Sequence, residues 1–233
     1  AAEVAEGLET TVAAVDSGLQ RARATLGDQN LRQQEPLSER QRDYTDKTEG
    51  AARDLLGLLN DVLDFSKVEA GKMELNLEPF AVETLLGDLS VILSANLNGK
   101  AVDLVFDIDP AIPPTLVGDA MRLKQVLINL GGNAVKFTAL GEVLIQWRLL
   151  EQAHDQATIE IAVRDTGIGI APENQAKIFE GFSQAESSTT RRFGGTGLGL
   201  GISQRLVALM GGSLALSSEL GQGSTFRFTI RLP

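Results

Sequence analysis

Several features that would define a class of function are scarce or missing in this sequence of 233 residues. Cysteine is absent, which excludes a disulfide framework and a thiolate zinc site, and a single histidine, His154, excludes a multi-histidine metal site. No apolar run reaches the roughly 18 residues that a membrane-spanning helix needs, and the acidic start lacks the basic segment of a signal peptide. Acidic side chains outnumber basic ones 31 to 21, which argues against nucleic-acid binding. We therefore expect a cytoplasmic protein, or the cytoplasmic part of a sensor whose membrane anchor lies in segments outside this sequence.

The first 77 residues show a helical pattern. Apolar residues from Val4 to Leu26 recur at gaps of three and four, and after a loop Ser38 is a candidate N-cap for a second helix. Two such helices cannot bury both apolar faces alone, so we predict a homodimeric four-helix bundle, the alternative being a hairpin packed on its own domain. The second helix carries a heptad-like seam formed by Thr48, Ala51, Leu55, Leu58, Val62 and Phe65.

From residue 78 to residue 233 helical and strand patterns are mixed. The stretch "DAMRLKQVLINLGGNAVKF" predicts a helix capped by Asp119, while "GEVLIQWRLL" and "ATIEIAVRD" predict consecutive strands. Strands that follow one another directly favour an α+β sandwich over alternating βαβ units. This argues against a dinucleotide-binding fold for the glycine-rich stretch between Arg191 and Ser203. We predict a helical hairpin over 1–77 and a two-layer α/β sandwich over 78–233.

One predicted helix carries three polar side chains on a single face. In "INLGGNAVKF", Asn129, Asn133 and Lys136 are spaced by four and three residues, which brings them together on a helix. Amide oxygens suit magnesium, which prefers hard oxygen ligands and keeps several waters, and the ammonium suits phosphate. A solvated polar stripe explains the asparagines equally well.

A second stretch, "RDTGIGI", ends an apolar strand at Asp165 and turns through Gly167 and Gly169. A carboxylate fixed at a strand end can accept a hydrogen bond from the exocyclic amine of a purine, and the glycines would let the base lie against the backbone. An ordinary turn with two glycines is the alternative.

The glycine-rich stretch "RRFGGTGLGLGIS" runs directly into a predicted helix near Leu198. Free N–H groups at a helix start bind phosphate, so this stretch suggests a nucleotide site. The polar segment before it is typical of a mobile lid, rooted by Phe179 and Phe182, from which Arg191 and Arg192 could reach terminal phosphates.

Taken in order, these stretches resemble the ATP-binding domain of sensor histidine kinases. "NLGGNAVKFT" is similar to the family's Asn box, "DTGIGI" and "GGTGLGLGIS" to its two glycine boxes, and "FEGF" to its phenylalanine box. "LLNDVLDFSKVEAGKMEL" resembles the second helix of the dimerisation and phosphotransfer hairpin, and "SQAESSTTRRFGGTGLGL" looks most like the hybrid subgroup. The resemblance implies a histidine-kinase-like ATPase fold, transfer of the γ-phosphate of Mg-ATP to a histidine on the dimerisation helix, and a response regulator or receiver domain as partner.

The resemblance also implies roles for matching positions. Asn133 and Asn129 would hold magnesium, Lys136 would contact phosphates, and Asp165 would bind adenine. The related chaperone, gyrase and mismatch-repair ATPases have a water-activating glutamate at the position of Asn129, so this site should hold ATP for transfer and hydrolyse it poorly. The other expected nucleotide contacts are Gly167, Gly169, Phe182, Arg191, Arg192, Gly195, Thr196, Gly197, Leu198, Gly199, Leu200 and Thr225.

The acceptor histidine of the family has no counterpart in this sequence before His154. Matching "EGLETTVAAVDSGL" to the family's first helix puts the acceptor position near Glu9, with Thr10 in place of the acidic neighbour that acts as a base. We therefore expect a chain that binds Mg-ATP but does not autophosphorylate. Two other functions stay open: a pseudokinase that regulates a partner by binding it, and a related ATPase, against which Asn129 argues.

Overall fold

The structure is a computed structural model that describes residues 17, 21, 38–97, 99–153, 156–179, 197 and 199–233. The chain divides into two compact units, Ala1–Met73 and Glu74–Pro233. The boundary lies four residues before the predicted one, between Met73 and Glu74. The assignment of a dimerisation role to the first unit stays a prediction.

The first unit contains a long helix, α1 (Glu39–Glu69), whose start is fixed by its sequence. Ser38 is the N-cap, as predicted: its hydroxyl accepts from the Gln41 amide at 3.3 Å, and the Gln41 side chain accepts from the Ser38 amide at 3.0 Å. This reciprocal pair satisfies two N–H groups that a helix start leaves without partners. Leu55 of the predicted seam is 49% exposed, which is compatible with the predicted packing of α1 against a second helix. None of the helices in the part of the chain that the structure describes combines the length and the hydropathy of a membrane span.

The described part of the second unit contains the strands β1 (Glu78–Ala81), β2 (Ala101–Ile108), β3 (Thr115–Gly118), β4 (Leu140–Ala153), β5 (Gln156–Asp165), β6 (Leu214–Glu219) and β7 (Gly223–Leu232). Five of them form one sheet with the order β2-β4-β5-β7-β6, in which the pair β2–β4 is parallel and the other neighbours are antiparallel. A separate two-stranded sheet joins β1 to β3. The consecutive strands β4 and β5 pair directly, as do β6 and β7, which confirms the predicted α+β class.

Helices form the second layer of this unit. They are α2 (Val82–Ala95), α3 (Ala120–Phe137), α4 (Pro172–Gln175) and α5 (Gly199–Leu209), with a 3₁₀ turn at Lys177–Phe179. Helix α3 packs against both α2 and α5 and lies on β4 and β5. The predicted two-layer sandwich is therefore confirmed for this unit.

Helix α3 is placed by its cap and its apolar face. Asp119 caps its start, as predicted, by accepting from the Arg122 amide at 2.9 Å and from the Asn76 amide at 3.0 Å. Leu127 and Leu130 are fully buried, and each contributes about 2 kcal/mol of transfer free energy. With that face fixed in the core, the polar face of α3 points in one defined direction.

Candidate nucleotide-binding site

The polar face of α3 meets the start of α5 at Asn129. The Asn129 side-chain amide donates from Nδ2 to the hydroxyl of Ser203 at 2.8 Å. A Cβ on Gly199 would lie 2.8 Å from Asn129 Cγ and closer still to its Oδ1. The bare backbone at Gly199 therefore gives room to the amide oxygen, which faces the first residue of α5.

The next two polar residues of α3, Asn133 and Lys136, are half-buried and follow on the same face, as their spacing predicted. Burial lowers the pKa of Lys136, and its Nζ lies 5.1 Å from the centre of the Phe137 ring. A phosphate oxygen near this partly desolvated ammonium would stabilise its charged form.

Beyond Lys136, the end of α3 packs against the turn that follows β5. The Phe137 carbonyl accepts from the Ile168 amide at 3.4 Å. A Cβ on Gly167 would lie 2.5 Å from that carbonyl oxygen and 2.9 Å from Asp165 Oδ1, so only glycine fits there. This contact brings Asp165 next to the end of the helix that carries Asn133 and Lys136.

Asp165 is a buried carboxylate with a fixed orientation. It ends β5, is 6% exposed, and accepts from the Gly167 amide at 2.8 Å and from the Ser224 backbone amide. Burial raises the pKa of Asp165, and the two backbone hydrogen bonds oppose part of that rise. The arrangement presents a desolvated acceptor at the end of the central strand β5, as recognition of an amine by a carboxylate requires.

The glycines of the turn after Asp165 are required by the protein itself. Gly169 has φ +67°, and a Cβ there would lie 2.7 Å from the Glu219 carbonyl carbon. Ser218 joins the turn to the β6–β7 hairpin, since its hydroxyl accepts from the Ile170 amide at 2.8 Å and bonds to the Gly223 carbonyl at 2.9 Å. Of the two explanations that the sequence offered, the ordinary turn is supported by this backbone packing, and contact of the glycines with a base stays a prediction.

The register of β7 separates two neighbouring candidates for contact with the nucleotide. Strand β7 pairs Ser224 with Asp165 and Thr225 with Arg164, so the side chains of Ser224 and Thr225 point to opposite faces of the sheet. Ser224 shares the face of Asp165, is 7% exposed and lies 3.0 Å, Oγ to Oγ, from Ser218, while the contact from Thr225 stays a prediction. The alternation of buried residues in "GSTFRFTIRL" carried this information, because Phe226, Phe228 and Ser224 share one phase.

Three further predicted contacts, Gly197, Gly199 and Leu200, lie in the described part of the glycine-rich stretch. Gly197 has φ +71° and precedes α5, which begins at Gly199, in agreement with a helix predicted to begin near Leu198. Phe179 packs edge-on against Phe226 with ring centres 6.4 Å apart, which supports its predicted anchoring role. Outside the described residues lie the predicted positions Glu9, Thr10, His154, Phe182, Arg191, Arg192, Gly195, Thr196 and Leu198.

Ser203 was not recognised from the sequence. It is 2% exposed in α5, and its hydroxyl fixes the Asn129 amide. The available signal was a serine in the apolar phase of "GISQRLV", because a buried hydroxyl needs a hydrogen-bond partner.

The donors at this site fit magnesium. With Nδ2 of Asn129 bound to Ser203, its Oδ1 is left as a hard oxygen facing α5, and Asn133 offers a second amide one turn further along. The described residues contain no cluster of three or more His, Cys, Asp or Glu side chains suited to a metal. A metal here would rest on amide oxygens, water and ligand phosphates, which is the coordination that magnesium commonly has beside nucleotides.

The amino-acid sequence is similar to one family of ATPases and to several sensor histidine kinases. The family of histidine kinase-, DNA gyrase B- and HSP90-like ATPases matches residues 118–233. The chain is 43% identical over 208 residues to the sensor histidine kinase GacS of Pseudomonas protegens, covering 89% of this chain and 23% of that protein. It is 40% identical over 205 residues to hybrid signal transduction histidine kinase B of Dictyostelium discoideum, covering 88% of this chain and 10% of that protein.

A solved structure extends the similarity to most of the chain. Full-length ShkA in complex with AMPPNP superposes with a TM-score of 0.71 at 36% identity, covering 97% of this chain and 45% of that one. This chain spans less than a quarter of the length of the curated relatives described above.

Proposed function

We propose that Glu74–Pro233 binds Mg-ATP between α3, the turn after Asp165 and the start of α5. The premise is that the chain belongs to the family of histidine kinase-, DNA gyrase B- and HSP90-like ATPases and forms a catalytic core of the sensor histidine kinase type. The observation that carries the proposal is the position of Asn129, whose amide oxygen lies against the bare backbone of Gly199 while Ser203 holds its nitrogen. One helix face thereby meets a helix start, which is where a polyphosphate binds.

Each end of the nucleotide has a group suited to it. Asp165 would accept from the exocyclic amine of adenine, Asn133 and Asn129 would hold magnesium, and Lys136 would neutralise phosphate charge. The metal would neutralise the charge of the phosphate oxygens and orient the γ-phosphate. The predicted lid arginines, Arg191 and Arg192, would complete the phosphate end.

The reaction we propose for the family site is phosphoryl transfer to a histidine nitrogen of a dimerisation helix. A P–N bond forms, the bond from the γ-phosphorus to the β,γ-bridging oxygen breaks, and ADP leaves, so that catalysis rests on positioning and charge stabilisation. Asn129 cannot act as a general base for water, and its nitrogen is already committed to Ser203. The site therefore favours transfer over hydrolysis.

This chain would bind the nucleotide without completing that transfer. Its single histidine is His154, and the position we match to the acceptor is Glu9, a carboxylate that cannot replace an imidazole nitrogen. We propose that the chain dimerises through its N-terminal hairpin, and that a receiver domain or response regulator would accept the phosphate from an intact core.

A pseudokinase is the second candidate, and the absence of histidine from residues 1–153 favours it. In that function, nucleotide binding would change how the helical hairpin engages a partner, with no covalent step. Restoring the acceptor separates the two, because a degenerate core would not recover transfer from one substitution.

The experiment is incubation of the chain with γ-labelled ATP and magnesium, with binding of AMPPNP measured by calorimetry. We expect binding, no protein-bound label, and little phosphate release. Glu9→His should then give acid-labile label on the protein, and Glu9→Gln serves as the matched control without a nucleophile. Acid-labile label on the unmodified chain would refute the missing acceptor, rapid phosphate release would favour an ATPase, and absence of AMPPNP binding would overturn the whole proposal.

A further inference from the structure

The carbonyls at the carboxyl end of α3 accept hydrogen bonds from its C-cap and from other elements. The last four carbonyls of a helix have no partners within it. Here the Ala134 carbonyl accepts from Thr138, through its amide at 3.1 Å and its hydroxyl at 2.8 Å. The Phe137 carbonyl accepts from the Ile168 amide of the Asp165 turn. Two carbonyls of the final turn remain, those of Val135 and Lys136.

Both of these carbonyls accept from one ammonium group. Lys100 Nζ lies 2.7 Å from the Val135 oxygen and 3.0 Å from the Lys136 oxygen, and a third bond at 3.2 Å reaches the Thr138 oxygen. An ammonium has three N–H donors, so these contacts match its full donor capacity. Lys100 is half-buried and immediately precedes β2, so its side chain joins the edge strand to the end of α3.

The charge of Lys100 also suits its position. A helix carries partial negative charge at its carboxyl end, and a cation there is stabilising. Hydrogen bonds from a charged donor are shorter and stronger than those between neutral groups. A neutral side chain of the same length would leave three half-buried carbonyls without these donors.

We propose that Lys100 is a positioning residue of the nucleotide site, an inference that rests on the function proposed above. Lys100 fixes the last turn of α3, the Phe137 carbonyl at the end of that turn touches Gly167, and the Gly167 amide orients the Asp165 carboxylate. The same last turn carries Lys136. The ammonium therefore sets the spacing between the phosphate-binding and adenine-binding ends of the site without touching the nucleotide.

The test is Lys100→Met, which keeps the length of the side chain and removes its donors. Two properties of the full chain are measured under conditions where it is folded by circular dichroism: the Kd for AMPPNP with magnesium, and hydrogen exchange of the Gly167 and Ile168 amides. We expect AMPPNP to bind about tenfold more weakly, within the range of coupling that such relayed contacts carry. Exchange at both amides should become several-fold faster, by about the same factor.

The chain offers a matched control on the same helix. Lys124, near the start of α3, pairs with Asp88 of α2 at 2.5 Å and lies outside the proposed site. Lys124→Met should change thermal stability while leaving both the AMPPNP affinity and the two exchange rates unchanged. Lys100→Arg, which retains the charge and several donors, should recover at least half of the lost binding free energy.

The outcomes separate this inference from the proposed function. Wild-type affinity in folded Lys100→Met would overturn the positioning role, as would loss of affinity without faster exchange at Gly167 and Ile168. If Lys100→Met does not fold, the same two measurements on Lys100→Gln decide the matter in the same way. If the wild-type chain does not bind AMPPNP, the proposed function fails. Faster exchange in Lys100→Met would then show that the hydrogen bonds of Lys100 stabilise the fold alone.

Discussion

Gly199→Ala is the sharpest perturbation of the proposed site, because it adds one methyl group where Asn129 lies. The added Cβ would be 2.8 Å from Asn129 Cγ, closer than Cβ atoms approach such neighbours in folded proteins, and 3.0 Å from its Nδ2. We expect the Asn129 side chain to rotate away and its 2.8 Å hydrogen bond to Ser203 to break. The amide oxygen that we assign to magnesium moves with it.

The expected stability change is small, because two effects oppose one another. Losing a buried side-chain hydrogen bond costs about 1 kcal/mol. Replacing glycine by alanine in a helix gains up to about 1 kcal/mol, and Gly199 has no positive φ to forbid the replacement. We therefore expect a net change within about 1 kcal/mol, while the affinity for AMPPNP with magnesium falls by at least tenfold, about 1.4 kcal/mol.

The assay is calorimetric titration beside thermal unfolding, with Gly87→Ala as the control. Gly87 lies in α2 with nothing within 4 Å of an added Cβ, so that variant should gain stability and bind normally. A double-mutant cycle isolates the cause, since Asn129→Ala should abolish the destabilising part of Gly199→Ala. Unchanged affinity in Gly199→Ala, or the same stability cost with and without Asn129, would refute the reasoning.

Two further predictions concern the turn after β5. Gly167→Ala places a Cβ 2.5 Å from the Phe137 carbonyl oxygen. We therefore expect the free energy of unfolding in urea to fall by about 1–3 kcal/mol and AMPPNP to bind more weakly. Wild-type values of both quantities would contradict the packing argument. Asp165→Asn should weaken AMPPNP binding at neutral pH and alter the pH dependence of stability. Burial raises the pKa of Asp165 in the folded state, so protonation of this carboxyl favours folding. Its contribution to the free energy of unfolding is complete below the pKa of the unfolded state and declines as pH rises through the pKa of the folded state. The stability of the wild type relative to Asp165→Asn should therefore increase as pH falls from 7 towards 4 in thermal unfolding, and a constant difference would argue against a desolvated carboxyl.

Local patterns predicted those parts of the structure that local forces determine. Asp119 and Ser38 were predicted as caps because Asp and Ser before a helical pattern accept from amides of its first turn, and both side chains do so in the structure. The shared face of Asn129, Asn133 and Lys136 followed from helical periodicity. The α+β class followed from strands that are consecutive in sequence and therefore pair with each other.

Contacts between distant segments could not be predicted in the same way. Nothing near Gly199 in the sequence indicates that its missing Cβ leaves room for an amide on α3, and nothing near Lys100 indicates three carbonyls 35 to 38 residues away. The distinction between Ser224, on the face of Asp165, and the predicted contact Thr225 has a different origin. A motif match tolerates a shift of one residue, whereas a strand moves every side chain to the other face with that shift.

The same atoms hold the fold together and form the proposed site, and this overlap has a consequence for how variants should behave. Asn129 uses its nitrogen to join α3 to α5, and its oxygen is the atom that we propose as a ligand of magnesium. Asp165 is oriented by the amides of Gly167 and Ser224, which belong to the packing of the turn and the hairpin. Substitutions at these positions should therefore change stability and affinity together. Substitutions of Asn133 or Lys136, which lie half-buried on the open face of α3, should reduce affinity with less effect on stability.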